Sequence, residues 1–294
     1  MFSLPPSFSS DPHAHQQQNT ESPNFMTSMV EREWFDLCSQ IGIREFSTIS
    51  KWWQYIRNEY DQPNSRFYHT TTHLFHLLTQ CRDLFEKDSR FGGSKLLSMT
   101  DFIIIRLAIF FHDVIYDSTR KDNEEASARV FMKFVNEAKP EMLRNEDVKR
   151  VGMFIECTAN HLSHKDKKDQ LLFAFLDFDL AVLAMNTPKE EIQFFKDILV
   201  EWRNKEEFLQ SSYMKHYVEN VRKEYGHLSD QEFAKGRSAF IRKMLENPDQ
   251  LFYTSEAKEK LEKQALVNLN MELSLYTEQE EEEAMIASVP SNSE

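Results

Sequence analysis

An all-α fold is what this chain of 294 residues predicts, and three observations predict it. Glycine is scarce at 6 residues, while Leu, Glu, Lys and Met, which lose little rotamer freedom in a helix, are plentiful. Alternating runs of Val, Ile and Thr are few. Apolar residues recur instead at three- and four-residue spacing. An apolar content of 40% with 24 Phe can bury one large core or two small ones without disulfides. The reading is one helical domain over residues 28–277, between a disordered N-terminal tail (1–27) and an acidic, disordered C-terminal tail (278–294).

The elements follow in order. Residues 1–27, rich in Ser, Pro, Gln and Asn, bury too little apolar surface to offset the entropy of ordering and are expected to be disordered. His13 and His15 in this tail read as solvated. Helices are expected from about 30, over 49–60, and over 68–85 after a turn at 61–65. Gly92 and Gly93 break the chain before a helix that starts at Thr100 or Asp101, both suitable N-caps, and continues through Tyr116. Further helices are expected over 123–138, 145–161 and 170–186. Thr187 and Pro188 read as the N-cap and first-turn proline of the next one. Helices near 206–225 and 256–276 complete the bundle, and Ser229 with Glu232 reads as a capping box between them.

The formal charge of -13 argues against a nucleic-acid surface, which draws on clustered Lys and Arg. Part of that charge belongs to the tail, because Glu278, Glu280, Glu281, Glu282, Glu283 and Glu294 follow Tyr276 with no basic residue among them. Cys38, Cys81 and Cys157 are far apart, so neither a disulfide framework nor a Cys-rich metal site is suggested. The N-terminus lacks a signal-peptide pattern, and no apolar stretch approaches the roughly 18 to 20 residues of a membrane span. A cytoplasmic protein with no membrane partner is the expectation.

Chemistry is indicated where polar residues interrupt apolar sequence. Phe102 to Tyr116 is apolar on every side of a helix, so its His112 and Asp113 should be buried. An ionised Asp there requires a partner, which could be a metal ion or a hydrogen-bonded His or Arg. His69, His73 and His76 fall at i, i+4 and i+7, on one helical face, which suits metal binding or proton transfer; His76 also reads as a packed or surface residue. Asp177 and Asp179 repeat the anomaly in an apolar stretch. They differ by about 200° on a helix, so one could bind metal while the other braces the backbone. One hard divalent cation taking two His nitrogens and two carboxylate oxygens would account for all three anomalies.

The order His, His-Asp, Asp resembles the HD superfamily of metal-dependent phosphohydrolases. Six blocks in order carry the likeness over about 30–275: RFYHTTTH (66–73), FHDVIYD (111–117), NEEASA (123–128), TANH (158–161), FLDFDL (175–180) and GR (236–237). Together they resemble the subfamily described as predicted metal-dependent HD phosphohydrolases. The resemblance implies an HD-domain-like helical bundle holding a divalent metal (Mn, Fe, Zn or Mg) on His73, His112, Asp113 and Asp179, the block's second Asp being the usual ligand. It implies His69 as general acid, similar to the His that protonates the leaving oxygen in cyclic-nucleotide phosphodiesterases.

A small phosphorylated substrate, such as a nucleotide, would then be hydrolysed by metal-activated water, with Asp113 and His69 in the catalytic machinery. His161 could bind a second metal or substrate phosphate, or be a surface residue. Glu124 could assist the metal water or simply favour the first turn of its helix. Arg66, Arg222 and Arg237 could clamp an anion, or be ordinary paired arginines. Two other classes fit the same family: a di-iron oxygenase, which needs further ligands, and a non-catalytic metal-binding sensor or interaction protein.

Overall fold

A computed structural model describes residues 23–90, 97–185, 205–246 and 251–287. Among them the structure is all helical, with no strand. The first seven helices are α1 (Pro23–Gln40), α2 (Phe46–Asp61), α3 (Thr71–Arg90), α4 (Met99–Phe111), α5 (Asn123–Ala138), α6 (Asn145–Cys157) and α7 (Gln170–Leu180). Then come α8 (Lys205–Leu209), a wide π-type segment (Tyr213–Val218) leading into α9 (Glu219–Glu224), α10 (Asp230–Leu245), and two short turns at Ser255–Ala257 and Lys258–Glu262 leading into α11 (Lys263–Ala287). No helix of the described residues is long and apolar enough to cross a membrane.

The helices α1–α7 enclose an aromatic core. Trp34 of α1 is fully buried against Phe110, Phe111 and Phe134, and its indole N–H donates to the Ile49 carbonyl at 3.0 Å. That bond removes the cost of burying a lone donor. The apolar helix α4 is the centre of this layer, with α3 and α6 packed on it. Its one interior charge, Arg106, is matched by Glu33 at 3.4 Å and Asp36 at 3.0 Å on α1. Arg150 of α6 reaches both Asp101 at the start of α4 (2.9 Å) and Asp169, the N-cap of α7 (2.7 Å), so the three helices keep a common register. A second core forms between the end of α7, α9, α10 and α11.

Several helix limits differ from expectation. Helix α4 is capped by Ser98 in a reciprocal box with Asp101, not by Thr100 or Asp101, and it ends at Phe111, which puts His112 at its C-cap. Helix α6 ends at Cys157 and α7 at Leu180, each followed by a tight 3₁₀ turn. The box of Ser229 with Glu232 opens α10 as read. Helix α1 already begins at Pro23, whose fixed φ suits a first turn, and α11 continues to Ala287 through the stretch read as an acidic tail. The expected break at Gly92 and Gly93, the cap at Thr187 and Pro188, and His13 and His15 lie outside the described residues.

Candidate metal centre

His73, in the first turns of α3, His112 and Asp113, at the end of α4, and Asp179, near the end of α7, meet at one place. His73 Nε2 faces His112 Nε2 at 3.2 Å and Asp179 Oδ1 at 3.2 Å, and Asp179 Oδ1 is 3.8 Å from His112 Nε2. The three residues each offer a ligand atom within 4.8 Å of the others and could hold a metal ion. Asp113 Oδ2 joins them, 3.0 Å from His112 Nε2 and 3.8 Å from His73 Nε2. Helix α4 stops at Phe111; His112, its C-cap, keeps helical dihedrals and bonds back to the Ala108 carbonyl, while Asp113 lies in the turn that follows.

The donor set suits a cation. His112 Nδ1 lies 2.9 Å from the Ile109 carbonyl and must donate to it, so a neutral His112 presents the Nε2 lone pair to the cluster. Two imidazole nitrogens and two carboxylates facing one buried point leave an excess of acceptors that a divalent cation would satisfy. Burial lowers the His112 pKa, but Asp113 and Asp179 outweigh it and hold it well above the ordinary range. Burial also pushes the Asp113 carboxyl up, and His112 and His69 overcome this and hold it low. Asp179 is held low against its burial by His112, His161 and His73. His73 is lowered by burial in spite of its bond to Asp179.

His69 sits beside the cluster, but not on the helical face expected for it. Helix α3 begins at Thr71, where Asp61 accepts the backbone N–H and the hydroxyl, each at 3.0 Å. Upstream of that point Glu224 of α9 takes the backbone donors. One of its oxygens accepts the N–H groups of Phe67, Tyr68 and His69 at 2.8, 2.8 and 2.9 Å, and the other pairs with His69 Nδ1 at 2.7 Å. The backbone turns tightly here: the Thr70 N–H donates to the Tyr68 carbonyl at 2.8 Å, and the His73 N–H to the Thr70 carbonyl at 3.0 Å. Nδ1 donates to Glu224, and Nε2 points toward Asp113 Oδ2 at 3.9 Å. The Tyr116 ring stacks on the imidazole at 3.9 Å between centroids. Burial lowers the His69 pKa, yet Glu224 and Asp113 raise it further, so the net shift is upward. His76, on α3, is exposed and takes no part in the cluster.

The remaining candidates divide. His161, in the turn after α6, brings Nε2 to 2.7 Å from Asp179 Oδ2, the oxygen turned away from His73. Glu124 makes no hydrogen bond or ion pair with the cluster among the described residues. Its neighbours Asn123 and Ser127 do the work in that block. Asn123 exchanges two hydrogen bonds with the Asp117 backbone, and Ser127 Oγ two with that of Ile115, holding the turn that follows Asp113.

The three arginines are each engaged by protein acceptors, as the reading of ordinary paired arginines allows. Arg66 donates to the Asp113 and Val114 carbonyls at 2.8 and 3.0 Å and lies against the rings of Tyr60 and Tyr116. Arg222 is spent on Asp230 and on the Tyr225 and Leu228 carbonyls, joining α9 to α10. Arg237 is buried in a two-point pair with Glu272 at 2.7 and 3.1 Å and touches Tyr217. The sequence assigns no role to Glu224, Tyr116, Asn123 or Ser127. Tyr116, Asn123 and Ser127 lie inside the quoted blocks, whereas Glu224 carries no local signal.

Asp177 braces the backbone, the alternative role left open for one of the two aspartates. It accepts from the Tyr253 and Thr254 N–H groups at 2.7 and 2.8 Å and from the Thr254 hydroxyl at 2.7 Å.

Fold and site together define an all-helical protein with a buried His/Asp centre able to hold a metal ion. No family model matches the chain, and no curated protein does. Among solved structures it is similar to the phosphodiesterase domain of the RhoPDE fusion protein from the choanoflagellate Salpingoeca rosetta, with 16% identity and a TM-score of 0.49, over 90% of this chain and 94% of that one. A likeness of this size assigns neither an activity nor residue roles.

Proposed function

We propose that this chain is a metal-dependent hydrolase of a phosphate ester, of the HD type that its six sequence blocks resemble, acting on a nucleotide or related small phosphorylated metabolite. The observation that supports it is the convergence of His73, His112, Asp113 and Asp179 from three separate segments, with His69 alongside and its Nδ1 held by Glu224. A divalent cation bound there supplies an activated water and neutralises charge on the phosphate.

The side chains do the rest. His73 and His112 present Nε2, and Asp113 and Asp179 each present an oxygen from a fixed direction. Glu224 and Asp113 favour the cationic form of His69 against its burial, and in that form Nε2 would carry a proton toward the cluster. That proton is available to the leaving oxygen. Tyr116 stacks on the imidazole, and Arg66 pins the Asp113 carbonyl, so these non-helical segments keep their spacing.

Metal content and phosphate release from a panel of nucleotides and phosphorylated metabolites test the proposal, beside His73→Ala and Asp113→Ala. The expected result is bound divalent metal and turnover in the wild type, with both lost in each variant and helical content retained. An Asp113→Ala protein with full metal would sink the ligand assignment. Two equivalents of iron with O₂ consumption would assign oxidation instead, and metal uptake with no turnover would assign a sensor.

A further inference from the structure

Asp177 and Asp179, two positions apart on α7, both lead to the loop that carries His161. Asp179 Oδ2 meets His161 Nε2 directly at 2.7 Å. Asp177 reaches the same loop through Tyr253. Its carboxylate holds the backbone N–H groups of Tyr253 and Thr254. The Tyr253 ring stacks on Phe173 of α7, 4.6 Å between centroids and 7° from parallel. Its hydroxyl donates to the His161 carbonyl and accepts the His164 N–H at 3.0 Å. The chain Asp177, Tyr253, His161, Asp179 thus begins and ends on one helix.

We propose that Tyr253 and Asp177 are positioning residues of the metal centre, which hold His161 on Asp179 Oδ2 and thereby keep Asp179 Oδ1 turned toward His73 and His112. The metal role rests on the reading of the centre given above. A carboxylate accepts only, so His161 carries its proton on Nε2 in this pair. A ligand oxygen keeps its direction when its twin is engaged by a fixed donor, and partners of this kind typically change metal affinity about 10- to 100-fold. The ring of Tyr253 is anchored by stacking and by the Asp177 bonds, and its hydroxyl transmits this anchoring to the His161 backbone.

The test uses the full chain as wild type, Tyr253→Phe, His161→Gln and the double variant, titrated with Mn²⁺ alone, together with ring ¹⁵N spectra of His161 in the metal-free protein. Tyr253→Phe keeps the stack and removes both loop bonds. It is expected to weaken Mn²⁺ binding roughly tenfold. The double variant is expected to bind no more weakly than His161→Gln, because Tyr253 acts through His161. Losses that multiply in the double variant would overturn the proposal, as would unchanged affinity in Tyr253→Phe.

The ring spectrum is expected to show one Nε2–H tautomer in the wild type and a mixture in Tyr253→Phe; an unchanged spectrum would overturn the latch. If Tyr253→Phe fails to fold, Asp177→Asn, which weakens the same turn, is expected to shift both readouts in the same direction and overturns the proposal if it shifts neither. A wild type that takes up no Mn²⁺ would remove the metal reading, while the ring spectrum still decides by itself whether Tyr253 holds His161.

Discussion

The two cores of this protein are built on different physics. The core of α1–α7 is closed by rings: Trp34, Phe110, Phe111, Phe131 and Phe134 are all fully buried and in mutual contact. The core of α9–α11 has an ion pair at its centre, where Glu272 holds Arg237 and accepts from the hydroxyls of Tyr213 and Tyr276. The first core carries His73, His112 and Asp113, with Asp179 at its edge. The second supplies orientation, through Glu224 and through Tyr217, which packs on Tyr68 beside His69 and His73. Apolar packing thus sets the positions of the four clustered side chains, and Glu224 sets the orientation of His69.

The comparison breaks first under truncation of an aromatic. Phe134→Ala is expected to cost about 3 to 5 kcal/mol in urea unfolding, because the surrounding rings cannot collapse into the space. A loss under about 1 kcal/mol would mean that this core is not tightly packed. Glu272→Ala is expected to cost about 3 kcal/mol or more by leaving Arg237 buried and unpaired, whereas Arg237→Met with Glu272→Met recovers most of that loss. Failure of the double replacement to recover would show that the network's hydroxyl bonds outweigh the charge pair.

Glu224→Gln sharpens the division of labour. It retains an acceptor for the backbone but removes the charge that favours cationic His69, so turnover is expected to fall about 10- to 100-fold while Mn²⁺ affinity changes little. Equal losses of both would deny that the second core acts only through His69.

The smallest effect expected is at Asp169. Burial alone would raise its pKa, but Arg150 and the Leu171 and Leu172 N–H groups outweigh this and hold it below the ordinary 3.8. A depressed carboxylate stabilises the fold above its unfolded value and loses that contribution as pH falls through the folded one. Asp169→Asn is therefore expected to be less stable than wild type at pH 7, with the difference shrinking as pH falls below 3.8; a constant difference across that range would count against the linkage.

Much of the centre was legible because its residues violate their surroundings. His112, Asp113 and Asp179 interrupt apolar runs, and a charge in such a run must find a partner. The reading of His69 and His73 as one helical face fails because the backbone turns at Thr70, whose N–H goes to the Tyr68 carbonyl, and α3 begins only at Thr71. Arginine type alone could not distinguish an anion clamp from a brace. Arg66, Arg222 and Arg237 differ only in which acceptors the fold brings to them.

Periodicity, glycine scarcity and misplaced charges therefore determined the all-helical class, the apolar helix at the centre and the segments that carry chemistry, since each follows from local conformational preference and the cost of burying a charge. Tertiary structure alone decided that α4 stops at His112, that Glu224 orients His69, that Asp179 and not Asp177 faces the histidines, and that Tyr253 grips the His161 loop. Each of these depends on a hydrogen-bond partner distant in sequence, and no local pattern encodes which distant group arrives.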